Sequence, residues 1–143
     1  MSRMVKVVDE EVRFEDVNKE NRPVVSKTDI RGKITYTNSV FRALSGYDKG
    51  EMEGRPHNIV RHPDMPKKVF EEMWDTILKG EEWSGIVKNL RKDGKYYWVE
   101  ATIMPIKDEN NAIIGFISAR RSISDEVKKE YEKIYKEMRE KEK

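Results

Sequence analysis

Trp83-Ser-Gly-Ile-Val-Lys-Asn-Leu-Arg-Lys-Asp-Gly-Lys-Tyr-Tyr-Trp98 decides the fold. Asp93-Gly94 is the dipeptide of a tight hairpin turn, and β-branched and aromatic residues flank it, so two strands meet there, Glu82 to Leu90 and Lys95 to Ile106. A polar turn, Asp108 to Asn111, leads to a third strand, Ile113 to Arg121. Upstream, Val24 to Asp29 and Lys33 to Thr37 form a shorter pair around Ile30-Arg31-Gly32. Helices lie between the two β blocks. Val40, Phe41 and Leu44 have helical spacing that Gly46 stops, and Asp48 caps a second short piece before Gly54. The clearest helix carries Phe70, Met73, Trp74, Ile77 and Leu78 at intervals of three and four, with Pro66 at its first position and Gly80 as its stop. The pattern predicts an α+β domain: one five-stranded antiparallel sheet with short helices on one face.

Two appendages flank this core. Residues 1–22 read as an N-terminal cap, 23–123 as the domain, and 124–143 as a charged helix for signalling or a coiled-coil linker. In that helix Val127, Tyr131, Ile134 and Met138 form an a/d seam about two heptads long. The chain has 143 residues, of which 39% are charged, and its 29 basic and 27 acidic side chains are interleaved, which gives no support to nucleic-acid binding. It has no cysteine, and that excludes disulfides, thiolate metal sites, cysteine nucleophiles and cysteine-adduct photochemistry. No apolar run is long enough to cross a bilayer, and with the lack of cysteine this makes cytoplasmic residence without direct membrane insertion the expectation. Neither a nucleophile beside a base nor paired carboxylates nor a metal cluster stands at a recognisable spacing, so the chain is not expected to be an enzyme.

The opening Thr28-Asp29…Gly32-Lys33-Ile34…Tyr36-Thr37-Asn38, the Gly46-Tyr47 pair and the Arg91–Trp98 hairpin resemble a PAS domain, over roughly residues 24–125. More specifically, Ile59-Val-Arg-His-Pro-Asp-Met-Pro66 followed by Trp83–Asn89 is similar to the flavin-binding PAS domain of Aer-type aerotaxis receptors. The resemblance implies a PAS fold and a flavin cofactor, FAD ahead of FMN or haem. It further implies a redox or energy sensor that signals to a chemotaxis-type partner, such as a chemoreceptor or a HAMP or transducer subunit, with a homodimer as a further possibility. The chain is then either a sensor excised from a receptor or a standalone subunit.

A flavin needs an apolar slot, aromatic faces, amide groups for its pyrimidine edge and cations for a phosphate tail. Trp83, Val87 and Asn89 share strand parity and one face, where an indole and a carboxamide suit the ring. The bland readings are a core tryptophan and a backbone-bonding asparagine. The resemblance carries Arg61, His62 and Asp64 over as residues that hold the cofactor, directly or by fixing the loop that covers it. Phe70 and Trp74 are core and pocket wall together. Asn38 either caps a helix or touches the ligand, and Tyr97 carries over as a pocket residue. Arg120 stands where light-sensing relatives place a glutamine, and either it or Arg121 must face inward. Tyr96 and Trp98 lie on the opposite face and call for a cover, a packed N-terminal cap or a dimer contact. Ser122-Ile-Ser-Asp125 stands at the junction that leads into the last helix, with Asp125 as a cap. His57 or His62 would ligate iron in the rival haem reading. A cofactor-free interaction module is the third reading.

Overall fold

The computed structural model describes residues 5–143, so the first four residues of the expected N-terminal cap lie outside the described residues. The elements run α1 (Phe14–Val17), β1 (Val24–Asp29), β2 (Ile34–Thr37), α2 (Ser39–Ser45), α3 (Lys49–Met52), a single 3-10 turn (His57–Val60), α4 (Lys67–Leu78), β3 (Trp83–Leu90), β4 (Tyr96–Lys107), β5 (Ile113–Arg121) and α5 (Asp125–Lys141). All strand pairs are antiparallel, in the order β2-β1-β5-β4-β3. This is the single five-stranded antiparallel sheet expected from the pattern. Gly94 takes φ 88° at the β3–β4 turn, where a side chain would be strained.

Strand alternation divides the sheet into two faces. Toward one face point Ser26, Thr28, Trp83, Val87, Asn89, Ala101, Phe116, Ser118 and Arg120, and over them lie the 3-10 turn and α4. Arg121 points the other way and pairs with Glu100. The choice between the two arginines therefore falls on Arg120, because β5 is held in register by Val24 on one side and Ala101 on the other.

The opposite face carries Tyr96 and Trp98, and the chain covers it with its own ends. Val8 and Val12 donate backbone hydrogen bonds to Gly94 and Tyr96, and Tyr96 returns one to Glu10. The α5 helix crosses the rest: Tyr135 stacks on Trp98 with ring centroids 6.4 Å apart, and its hydroxyl donates to the Ile86 carbonyl. Val127, Tyr131, Ile134 and Met138 lie against the core here. Their spacing alone leaves them open to a coiled-coil partner, but the nearest apolar surface is the chain's own sheet.

Two caps differ from expectation. Ser124 caps α5 by accepting from the Val127 amide at 3.2 Å, whereas Asp125 sits one residue inside and pairs with Arg13 and Lys128. Pro66 is the N-cap of α4 and not its first residue; having no side-chain acceptor, it leaves the orphan amides of Lys67 and Lys68 to the Glu142 carboxylate, at 3.1 and 3.0 Å. The far end of the chain thus anchors the start of α4.

Candidate functional site

Between α4, the 3-10 turn and the sheet lies a cavity of about 250 Å³. Phe70, Trp74 and Ile77 wall it from α4, Trp83, Val87, Asn89 and Ala101 from β3 and β4, and Phe116, Ser118 and Arg120 from β5. Arg31 and Arg61 also contribute to the lining, and among the described residues no carboxylate does. An apolar slot with a few convergent polar groups is the usual form of a small-molecule site.

One buried polar group in its wall is the Arg120 guanidinium. Nη2 donates to Ser26 Oγ at 2.9 Å and to His57 Nε2 at 3.0 Å, and the group lies 4.2 Å from the Phe41 ring centroid. Burial lowers its pKa to about 10, against the opposing effect of Tyr97. Burial, reinforced by the Arg120 charge, drives His57 down to about 3. A guanidinium can only donate, so His57 is neutral, accepts at Nε2 and carries its proton on Nδ1. Ser26, 3.0 Å from the same nitrogen, completes the cluster as a donor.

The loop before α4 straddles the sheet edge. Arg61 bridges to Asn89, which extends the strand alternation into the loop. Its side chain enters the cavity wall, with the guanidinium carbon 3.9 Å from the Phe70 ring centroid. His62 then faces the other side, where it is 2% exposed and meets Tyr96 edge-on, while its Nδ1 accepts from the Asp64 amide at 2.9 Å. Asp64 binds Lys88 Nζ at 2.9 Å, and Lys88 also binds Glu132 at 3.0 Å, over the Tyr96 ring. Burial opposes the charge on Lys88, but the two carboxylates outweigh it and raise its pKa. Arg139 donates to the Asp64 carbonyl.

Of the residues expected at the site, Arg61, Phe70, Trp74, Trp83, Asn89 and Arg120 meet at the cavity. Four do not. His62 and Asp64 link the loop to β3 and α5, because alternation turns them away from the cavity. The Asn38 side-chain oxygen accepts from the Phe41 and Val25 amides and its Nδ2 donates to the Pro23 carbonyl, so it is the cap of α2. Tyr97 is wholly buried beside Asn89, outside the cavity wall, and burial pushes its hydroxyl up to about 12. Sequence reasoning missed Ser26 and Phe41 and considered His57 only as a metal ligand. A serine at an inward strand position is a usable signal for Ser26. Nothing local signals His57, whose partner Arg120 is 63 residues away.

Both histidines give the fold an acid dependence. Burial is the first cause of each shift; the Arg120 charge adds to it at His57, and at His62, lowered to about 4, the Lys88 charge adds to it. The unfolded chain therefore takes up protons first as pH falls below about 6.5, and stability is lost from there down to the folded values. At about pH 5 the loss is up to about 2 kcal/mol for each histidine. Urea melts should give a lower midpoint at pH 5 than at pH 7.5, and His57→Gln should narrow the difference, leaving the part that His62 contributes. Equal midpoints would contradict this.

A family model described as PAS fold matches residues 34–120. The chain is 46% identical over 126 residues to the aerotaxis receptor of Escherichia coli strain K12, a match covering 84% of this chain and 25% of the receptor. It is 29% identical over 100 residues to the nitrogen fixation regulatory protein of Klebsiella pneumoniae, covering 70% of this chain and 20% of that protein. The chain thus spans about a quarter of the length of the curated relatives it matches, or less. Among solved structures, the dark structure of the blue-light photoreceptor Aureochrome1 LOV superposes with a TM-score of 0.69 at 19% identity, covering 99% of this chain and 100% of that one. At that identity the likeness speaks to the fold alone.

Proposed function

The chain belongs to the PAS family, and from that premise we propose that it is a sensor domain whose cavity holds a flavin, FAD in particular, and reports redox state to a signalling partner. The observation that carries this is the cavity's composition: among the described residues, aromatic and aliphatic walls, three arginines and no carboxylate. A buried guanidinium without an anionic partner is costly, and an electron-rich ring edge would compensate it. The Asn89 carboxamide can both donate to and accept from a pyrimidine edge. Arg31 and Arg61 suit a pyrophosphate, which favours FAD over FMN. When bound, a flavin would supply reversible uptake of electrons.

The chain's own residues then carry the change outward. Asn89 and Lys88 are consecutive on β3 and face opposite sides of the sheet, so a shift of Asn89 moves Lys88, which holds Asp64 and Glu132. The output is a change in how α5 rests on the sheet, read by a partner of chemoreceptor or transducer type. Among the described residues no helix is long and apolar enough to cross a membrane. Haem is disfavoured because His57 Nε2 is held by Arg120 and Ser26, while His62 packs on the far side of the sheet.

The test is the absorption spectrum of protein purified without added cofactor, with acid release of any chromophore. A two-banded yellow spectrum that bleaches on reduction supports the reading, a Soret band moves it to haem, and a colourless folded protein leaves an interaction module. Trp83→Ala and Asn89→Ala are each expected to lose the flavin while keeping the wild-type circular dichroism. Full occupancy in both would refute this pocket.

A further inference from the structure

Gly85 stands in the middle of β3, opposite Ala101, with no positive φ to require a glycine. A glycine inside a strand weakens it and packs nothing, so it marks a close approach. Here the close approach is the indole of Trp83, two residues earlier on the same face. A Cβ on residue 85 would lie 2.4 Å from both Cζ2 and Cη2 of Trp83, a separation at which something must move. The indole therefore reaches along the strand and occupies the place of the missing side chain, and in that pose it is 6% exposed. Ala101, the cross-strand neighbour of Gly85, is also small and forms part of the cavity wall.

We infer that Gly85 is a positioning residue for the ligand site: it seats the Trp83 indole along β3 and so sets how thick a ring the cavity admits. This rests on the flavin reading for the identity of the ring. With a methyl group at residue 85 the indole must swing off the strand. The open volume it borders is the cavity itself. The substituted protein keeps its polar groups, Arg120 and Asn89 included, and loses the space between them.

The experiment is FAD titration of the cofactor-stripped full chain, followed by flavin fluorescence, in the wild type, Gly85→Ala, Trp83→Phe and the double variant. Gly85→Ala is expected to weaken binding by about tenfold or more, the size of an overpacking penalty. Phenylalanine lacks the ring atoms that collide, so the double variant should bind within about threefold of Trp83→Phe alone. Wild-type affinity in Gly85→Ala overturns the inference, and so does a double variant as weak as Gly85→Ala. A wild type that takes up no FAD refutes the flavin reading separately. The seat is then judged by melting: Gly85→Ala should melt below wild type and the double variant should match Trp83→Phe, and equal melting of Gly85→Ala and wild type overturns it.

Discussion

Arg120→Met is expected to make the flavin-free domain more stable by about 1–3 kcal/mol and to weaken flavin binding by about tenfold or more. The guanidinium is buried and, among the described residues, has no carboxylate beside it; its neighbours include Ser26, His57, a backbone carbonyl and the face of Phe41. Taking such a charge out of water costs several kcal/mol, which neutral hydrogen bonds offset only in part. Methionine fills similar volume without charge, and Ser26 and His57 keep their own bond at 3.0 Å. The same change removes one of the two causes that depress His57, so its pKa should rise from about 3 toward the ordinary value. Urea melts of stripped protein, FAD titration and the histidine ring resonances read the three effects. A flavin-free variant less stable than wild type would mean that Arg120 is a structural cation, and the argument for an electron-rich ligand would fail with it.

Tyr135→Ala is expected to cost about 3–5 kcal/mol and to free α5. The ring is 5% exposed, stacks on Trp98, meets Tyr131 edge-on at 5.3 Å and anchors its hydroxyl on the Ile86 carbonyl, where burial pushes its pKa up. Around Tyr135, Val127, Tyr131, Ile134 and Met138 are only partly buried against the core, and the ion pairs of α5, such as Glu132 with Lys88, are half in water and add little. Hydrogen exchange should show the α5 amides losing protection in Tyr135→Ala while β4 and β5 keep theirs. Tyr135→Phe, which removes only the hydroxyl, should cost about 1 kcal/mol. Unchanged α5 protection in Tyr135→Ala would show that the ionic contacts and the partly buried stripe dock the helix without this ring.

The hairpin and the five strands were legible because Asp93-Gly94 and the alternation around it are local signals. Half of the candidate site was legible for the same reason: Trp83, Val87 and Asn89 follow from parity on one strand, and Phe70 and Trp74 from one helical stripe. The segment Arg61-His-Pro-Asp64 was found as a unit but not its division between the two sides of the sheet. Asn38 was open between cap and ligand contact until the amides of Val25 and Phe41 were seen to fill its oxygen.

What the sequence by itself determined is the five strands, the helices between them and the last helix, with their order and the faces within each, since these depend on residues a few positions apart and on the backbone freedom of single turns; it did not fix α1 or the 3-10 turn. Tertiary structure alone decided that Arg120 faces inward onto Ser26 and His57, that the α5 stripe lies on the chain's own sheet, and that Gly85 is the seat of an indole. The physical reason is that burial, hydrogen bonding and collision are properties of pairs. Arg120 and Ser26 are 94 residues apart and Tyr135 and Ile86 are 49 apart, and no local pattern records them.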